Sequence, residues 1–101
     1  MQLKLPLRQK KALEEFTRRL KSSFPDATVF LFGSLARGDW LEDSDVDVLV
    51  VTDRLSGLKP WERSAKLRAY APRDVAFDII VLTRDEFREK RSLYEPLVEV
   101  S

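Results

Sequence analysis

Five residues in the middle of the chain have types and spacings that could do chemistry together: the Gly33-Ser34 pair, Asp45 and Asp47 after ten intervening residues, and Asp78. Gly33 lets a ligand approach the backbone closely, and Ser34 can cap a short helix whose free amides point at an anion. Asp45 and Asp47, two apart on a strand, project from one face, where a hard cation such as magnesium can bind and bridge to a phosphate. Asp78 interrupts the apolar run Phe77-Asp78-Ile79-Ile80-Val81, where an isolated acid would disrupt a core. Beside the first pair it completes three carboxylates whose mutual repulsion a divalent metal relieves. In-line phosphoryl-type transfer needs such a set, because metals clamp the attacking and leaving oxygens while one carboxylate takes the proton of the attacking hydroxyl.

The elements that must position these residues follow from the flanking patterns. Leu13, Phe16, Leu20 and Phe24 recur at spacings of three and four, which predicts an amphipathic helix over 7–24, with Glu14–Arg18 and Glu15–Arg19 pairs on its polar face. Ala27 to Phe32 reads as a strand running into the Gly33–Gly38 turn. A second strand runs from Asp45 to about Thr52 and is apolar on both faces beyond its mouth, so it is central and covered by helices. Pro60 suits the first position of a helix to about Tyr70, although Trp61, Ala65, Leu67 and Tyr70 form no clean stripe. Val75 to Leu82 is a third strand. Thr83-Arg84-Asp85-Glu86 is a capping box that starts a last helix towards Tyr94. The apolar tail Leu97-Val98-Glu99-Val100 adds a strand or contacts another chain.

Composition narrows the chemistry further. The 101 residues suit one domain spanning 1–101, too small for separate catalytic and substrate-binding lobes. Neither cysteine nor histidine occurs, so thiolate nucleophiles, zinc-thiolate sites and imidazole bases are excluded. No apolar run approaches a membrane span and no secretory signal follows the basic N-terminus, so a cytoplasmic location without membrane contact is expected. Net charge is +1, yet residues 1–24 hold seven Lys or Arg against two Glu. The basic face of the first helix is therefore a solvated surface or a contact for an acidic partner or RNA.

Competing motifs fail on inspection. Gly33 to Gly38 spans the two glycines of a P-loop, but Asp39-Trp40 stands where Lys-Ser or Lys-Thr is required. Asp43, Asp45 and Asp47 imitate the start of an EF-hand loop, yet Val48 holds the glycine position and Arg54 the final glutamate position. An Asp-x-Asp pair alone is weak evidence; the ordered set of Gly-Ser, Asp-x-Asp and an Asp inside the next buried strand is specific.

Gly33-Ser34-Leu35-Ala36-Arg37-Gly38 followed by Ser44-Asp45-Val46-Asp47 resembles the signature of minimal nucleotidyltransferases in the DNA polymerase beta superfamily. The resemblance covers nearly the whole chain and implies an α/β fold: a small mixed β-sheet of three or more strands flanked by helices, in the order α-β-α-β-α-β-α. It implies that Asp45 and Asp47 bind two magnesium ions, that Asp78 binds the catalytic one and helps activate the acceptor hydroxyl, and that Gly33 and Ser34 hold the outer phosphates. Arg37 assists there or pairs with Asp39 or Asp43. The implied reaction moves a nucleoside monophosphate, AMP from ATP, to a hydroxyl. Small stand-alone members of the family are often encoded with helical HEPN proteins in pairs that look like toxin-antitoxin systems, so the resemblance implies a HEPN-type partner whose tyrosine is the acceptor. Alternatives are a non-catalytic antitoxin that neutralises its partner by binding, and transfer to RNA or to a small molecule.

Overall fold

The computed structural model describes residues 4–101. Its first helix, α1 (Leu7–Ser23), buries Leu13, Phe16 and Leu20, part of the apolar stripe expected from their spacing, together with Ala12. Leu13, Phe16 and Leu20 each contribute roughly 1.5–3 kcal/mol by leaving water. Phe24 closes the helix, its amide donating to the Leu20 carbonyl at 2.7 Å. Of the two expected ion pairs on its polar face, Glu15–Arg19 forms, at 3.1 Å, and Glu14–Arg18 does not among the described residues.

The chain then alternates: β1 (Thr28–Phe32), α2 (Gly33–Arg37), β2 (Val46–Val51), α3 (Pro60–Leu67), β3 (Phe77–Leu82), α4 (Arg84–Lys90) and β4 (Val98–Glu99). Short 3-10 turns at Arg68–Tyr70 and Arg91–Leu93 extend α3 and α4. The strands form one mixed sheet in the order β3-β2-β1-β4, with β1 antiparallel to both neighbours and β2 parallel to β3. The tail thus adds a strand, its register placing Val98 opposite Leu31. The α/β class and the order of the first seven elements are as the sequence implied.

Alternation sorts the strand residues onto two faces. Val29, Leu31, Val46, Val48, Val50, Phe77, Ile79 and Val81 join α1 in the main core, where the Phe16 and Phe77 rings lie 5.2 Å apart. The other face carries Leu49 and Val51, both buried, and is covered by α4 and the segment after it: Phe87 stacks on Phe30 at 5.0 Å and Tyr94 meets Phe32 edge-on at 5.3 Å.

The outer edge of β3 is closed by α3. Arg68 Nη1 donates to the Phe77 carbonyl at 3.2 Å, Ser64 Oγ to Ile79 at 2.8 Å and Arg63 Nη1 to Val81 at 3.3 Å. Three alternate carbonyls that an edge strand would leave free are thereby satisfied. Arg63 Nε also bonds the carbonyls of Leu55 and Leu58 in the connection after β2.

Candidate active site

Where β1 ends and the parallel pair β2 and β3 begins, the sheet brings the sequence-selected residues to one edge. In the parallel register Asp47 lies directly opposite Asp78, and in the antiparallel register it lies opposite Phe32, the residue before Gly33. Register partners share a face, so the Asp47 and Asp78 carboxylates both stand on the α4 side of the sheet. Asp45 differs from expectation: it lies just outside β2, which starts at Val46. The preceding turn is closed up to Ser44, whose Oγ accepts from the Leu41 amide at 2.8 Å, and the first ladder bond runs from the Val46 amide to the Ala76 carbonyl at 2.9 Å. Val75 likewise precedes the third strand, which starts at Phe77.

Gly33 has φ +73°, open to glycine at little cost, and an added Cβ would stand 2.0 Å from Asp47 Oδ2. The Asp47 carboxylate therefore occupies the space that any side chain at position 33 would need. Ser34 is not the cap that the sequence suggested. Because Gly33 turns into the helix at once, Phe32 takes the capping position and Ser34 lies in the first turn of α2, half-buried. Gly38, at φ +88°, ends the helix with its amide on the Ser34 carbonyl at 2.9 Å. Arg37 Nε donates to Asp39 Oδ2 at 3.2 Å, an exposed pair.

The electrostatics follow from this crowding. The Asp47 carboxyl is pushed up to about 6, first by burial and then by the charges of Asp78 and Asp45, with Arg37 acting in the opposite direction. Among the described residues no three acidic side chains form a ready-made metal cage. The acids are near enough to repel one another and supply only hard oxygen donors. That suits magnesium, which keeps several waters and takes one or two carboxylates together with phosphate oxygens. Asp45 and Asp78 are exposed and Asp47 is half-buried. A cavity of about 580 Å³ lies elsewhere, outside β3, lined by Arg68, Pro72, Arg73 and Ala76 among others. A groove of about 320 Å³, lined by Trp61, Ile80, Leu82, Lys90 and Tyr94 among others, lies over β3 on the α4 side. Trp61 is exposed at its rim, with Lys59 Nζ 5.2 Å from the ring centroid. Trp40 packs against the core.

One residue bearing on this edge escaped sequence reasoning. Gln9 is 2% exposed and donates from Nε2 to the carbonyls of Glu42, at 2.7 Å, and Ser44, at 3.1 Å. Its signal was present, since Gln9 precedes Leu13 by four and so stands as a polar residue on the apolar stripe of α1.

Comparison with known proteins bears on the family and the fold. The family model for the nucleotidyltransferase domain matches residues 13–100. A Methanocaldococcus jannaschii protein named "putative protein adenylyltransferase" is 45% identical over 49 residues, 46% of this chain and 49% of that protein, so the match spans about half of that relative's length. A second protein of that name and organism is 34% identical over 71 residues, 68% of this chain and 70% of that one. The crystal structure of a "putative nucleotidyltransferase" from Sulfolobus solfataricus superposes with a TM-score of 0.75 at 28% identity, covering 93% of this chain and 80% of that one.

Proposed function

The chain belongs to the nucleotidyltransferase domain family, and from that premise we propose that it transfers AMP from ATP to a hydroxyl on a partner protein, with magnesium as cofactor. The observation that carries the proposal is the register: Asp47 faces Asp78 across β2 and β3 while its carboxylate rests against the Gly33 backbone. Family membership makes the chain a nucleotidyltransferase. The protein acceptor draws support from the names of the two archaeal relatives.

In this proposal Asp45, Asp47 and Asp78 hold magnesium, and Gly33 and Ser34 at the start of α2, where the first amides lack partners within the helix, hold the outer phosphates. Arg37, whose exposed pair with Asp39 is weak, turns to the same phosphates. Bound magnesium would supply positive charge to the phosphate oxygens and to the attacking oxygen. Asp78 accepts the proton of the acceptor hydroxyl. The oxygen then forms its bond to the α-phosphorus as the bond to the β-phosphate oxygen breaks, and pyrophosphate leaves. The order β1-β2-β3 puts the phosphate cradle and Asp78 on opposite sides of Asp47, as in-line displacement requires of leaving group and acceptor.

The partner proposed is a helical HEPN-type protein, with the pair acting as toxin and antitoxin. Incubation with labelled ATP, magnesium and the co-purifying partner should label the partner, and its intact mass should rise by one or more nucleoside monophosphates. The paired substitution Asp45→Asn with Asp47→Asn should abolish transfer. Absence of transfer by the intact protein, or equal transfer by the double variant, rejects the proposal.

A further inference from the structure

We infer that Gln9 is a positioning residue for the acid-bearing edge: it holds the loop that presents Asp45, and it does so from the first turns of α1. The inference rests on the function proposed above. Asp45 lies outside the β ladder, so strand pairing does not fix its backbone on its N-terminal side. What does reach that side is the Gln9 amide, whose Nε2 hydrogens are divided between the carbonyls of Glu42 and Ser44, the latter in the peptide unit joined to Asp45. Sequence separations of 33 and 35 residues make this a tertiary contact rather than a turn closing on itself.

Two further observations favour a role beyond packing. Gln9 lies on the buried stripe of α1, where an aliphatic residue would pack without polar cost, and its Oε1 is buried with no hydrogen-bond partner. An amide kept there at a cost is kept for its donors. The adjacent Arg8 makes the matching contact on the other side: Nη2 donates to the Asp74 carbonyl in the turn before β3, and Nε lies 4.0 Å from the Asp74 carboxylate. Consecutive residues of one helix thus hold both loops that lead into the acid-bearing strands. Gln9 is the buried one of the two, since Arg8 and Asp74 are largely exposed.

Hydrogen bonds that orient metal-holding groups from behind are commonly worth 10- to 100-fold in metal affinity. In the full chain, Gln9→Met keeps the volume and removes both donors. Manganese binding measured by titration without turnover should weaken about tenfold, and the metal concentration giving half-maximal transfer should rise in parallel. The KM for ATP at saturating metal should stay within about twofold, since the phosphate cradle is untouched. Amide exchange at Ser44, Asp45 and Val46 should quicken while exchange within β1 does not. A folded Gln9→Met protein that binds manganese as the native chain does overturns the inference. Should Gln9→Met fail to fold, Gln9→Asn, which keeps the amide but is one methylene short, is read by the same outcomes. A native chain that neither binds manganese nor transfers nucleotide overturns the function itself, which separates that failure from a failure of Gln9 alone.

Discussion

At Asp47 the proposed chemistry and the stability of the fold oppose each other. Its carboxyl titrates at about 6 rather than 3.8, so the folded chain binds this proton more tightly than the unfolded one. The group costs nothing below about pH 3.8, and stability falls as pH rises through about 6 and stays lowered above it. Asp47→Asn should therefore melt higher than the native chain at pH 7.5 without metal, with the difference vanishing near pH 4. Because the side chain is only half-buried, the gain is on the order of 1 kcal/mol rather than the full shift, or about 4–8 °C in a thermal scan. Transfer activity should be lost in the same variant. Gly33 makes the complementary case. Gly33→Ala drives a methyl into the Asp47 carboxylate at a positive φ and should lower transfer on the order of 100-fold along with the melting temperature. Gly38→Ala shares the positive φ but meets nothing within 4 Å, so it should cost about 1 kcal/mol of stability and leave transfer largely intact.

Among the elements, α4 is secured at its start rather than by its buried face. No residue of α4 is buried, yet Thr83 accepts from the Glu86 amide at 3.2 Å, and Glu86 returns the bond by accepting from the Thr83 amide at 2.8 Å. Glu86 also accepts from Arg63 Nη1 at 2.7 Å. The Arg63 hydrogen bond, followed by that of the Thr83 backbone, holds the Glu86 carboxyl below its ordinary value. Stability from this pair is present above about pH 4.5 and lost as pH falls through the lowered value. Arg63→Met should cost about 3 kcal/mol in urea unfolding at pH 7, because it strands Glu86 and three carbonyls, and should flatten the acid side of the pH–stability curve. Arg63 also marks the limit of what the sequence disclosed. The capping box, the α1 stripe and the three acids were legible because side-chain spacing encodes them. Gln9 showed only as a polar residue on that stripe and Arg63 not at all, because the main-chain carbonyls of Glu42, Ser44 and Val81 that they reach lie far off in sequence, which no residue identity announces. The cap assigned to Ser34 failed for a local reason: α2 begins at Gly33, which leaves Phe32 in the capping position and Ser34 inside the first turn.

At the scale of the molecule, the candidate site gathers the end of β1, the turn before β2 and the start of β3, so the binding proposed above would draw on most of the sheet. Magnesium with ATP at about 100 times its dissociation constant should stabilise the folded chain by about 2.7 kcal/mol. The Asp45→Asn, Asp47→Asn double variant should show little of that gain in a thermal-shift measurement. Strand order itself was only partly readable. Adjacency of β3 and β2 stood in the sequence only as the condition under which three acids could converge, and the pairing of the tail with β1 had no such condition behind it. No helix among the described residues is long and apolar enough to cross a membrane.

The bonds from α3 to β3 bear on a hazard that hydrophobic patterning cannot police. A slide of β3 along β2 by two residues would keep every apolar side chain on its proper face, yet it would carry Asp78 roughly 7 Å from its place opposite Asp47. Arg63, Ser64 and Arg68 grip alternate carbonyls of β3, and Arg63 is itself anchored to the segment leaving β2. The crossover helix thereby works as a gauge block between two parallel strands, setting how far one has advanced along the other.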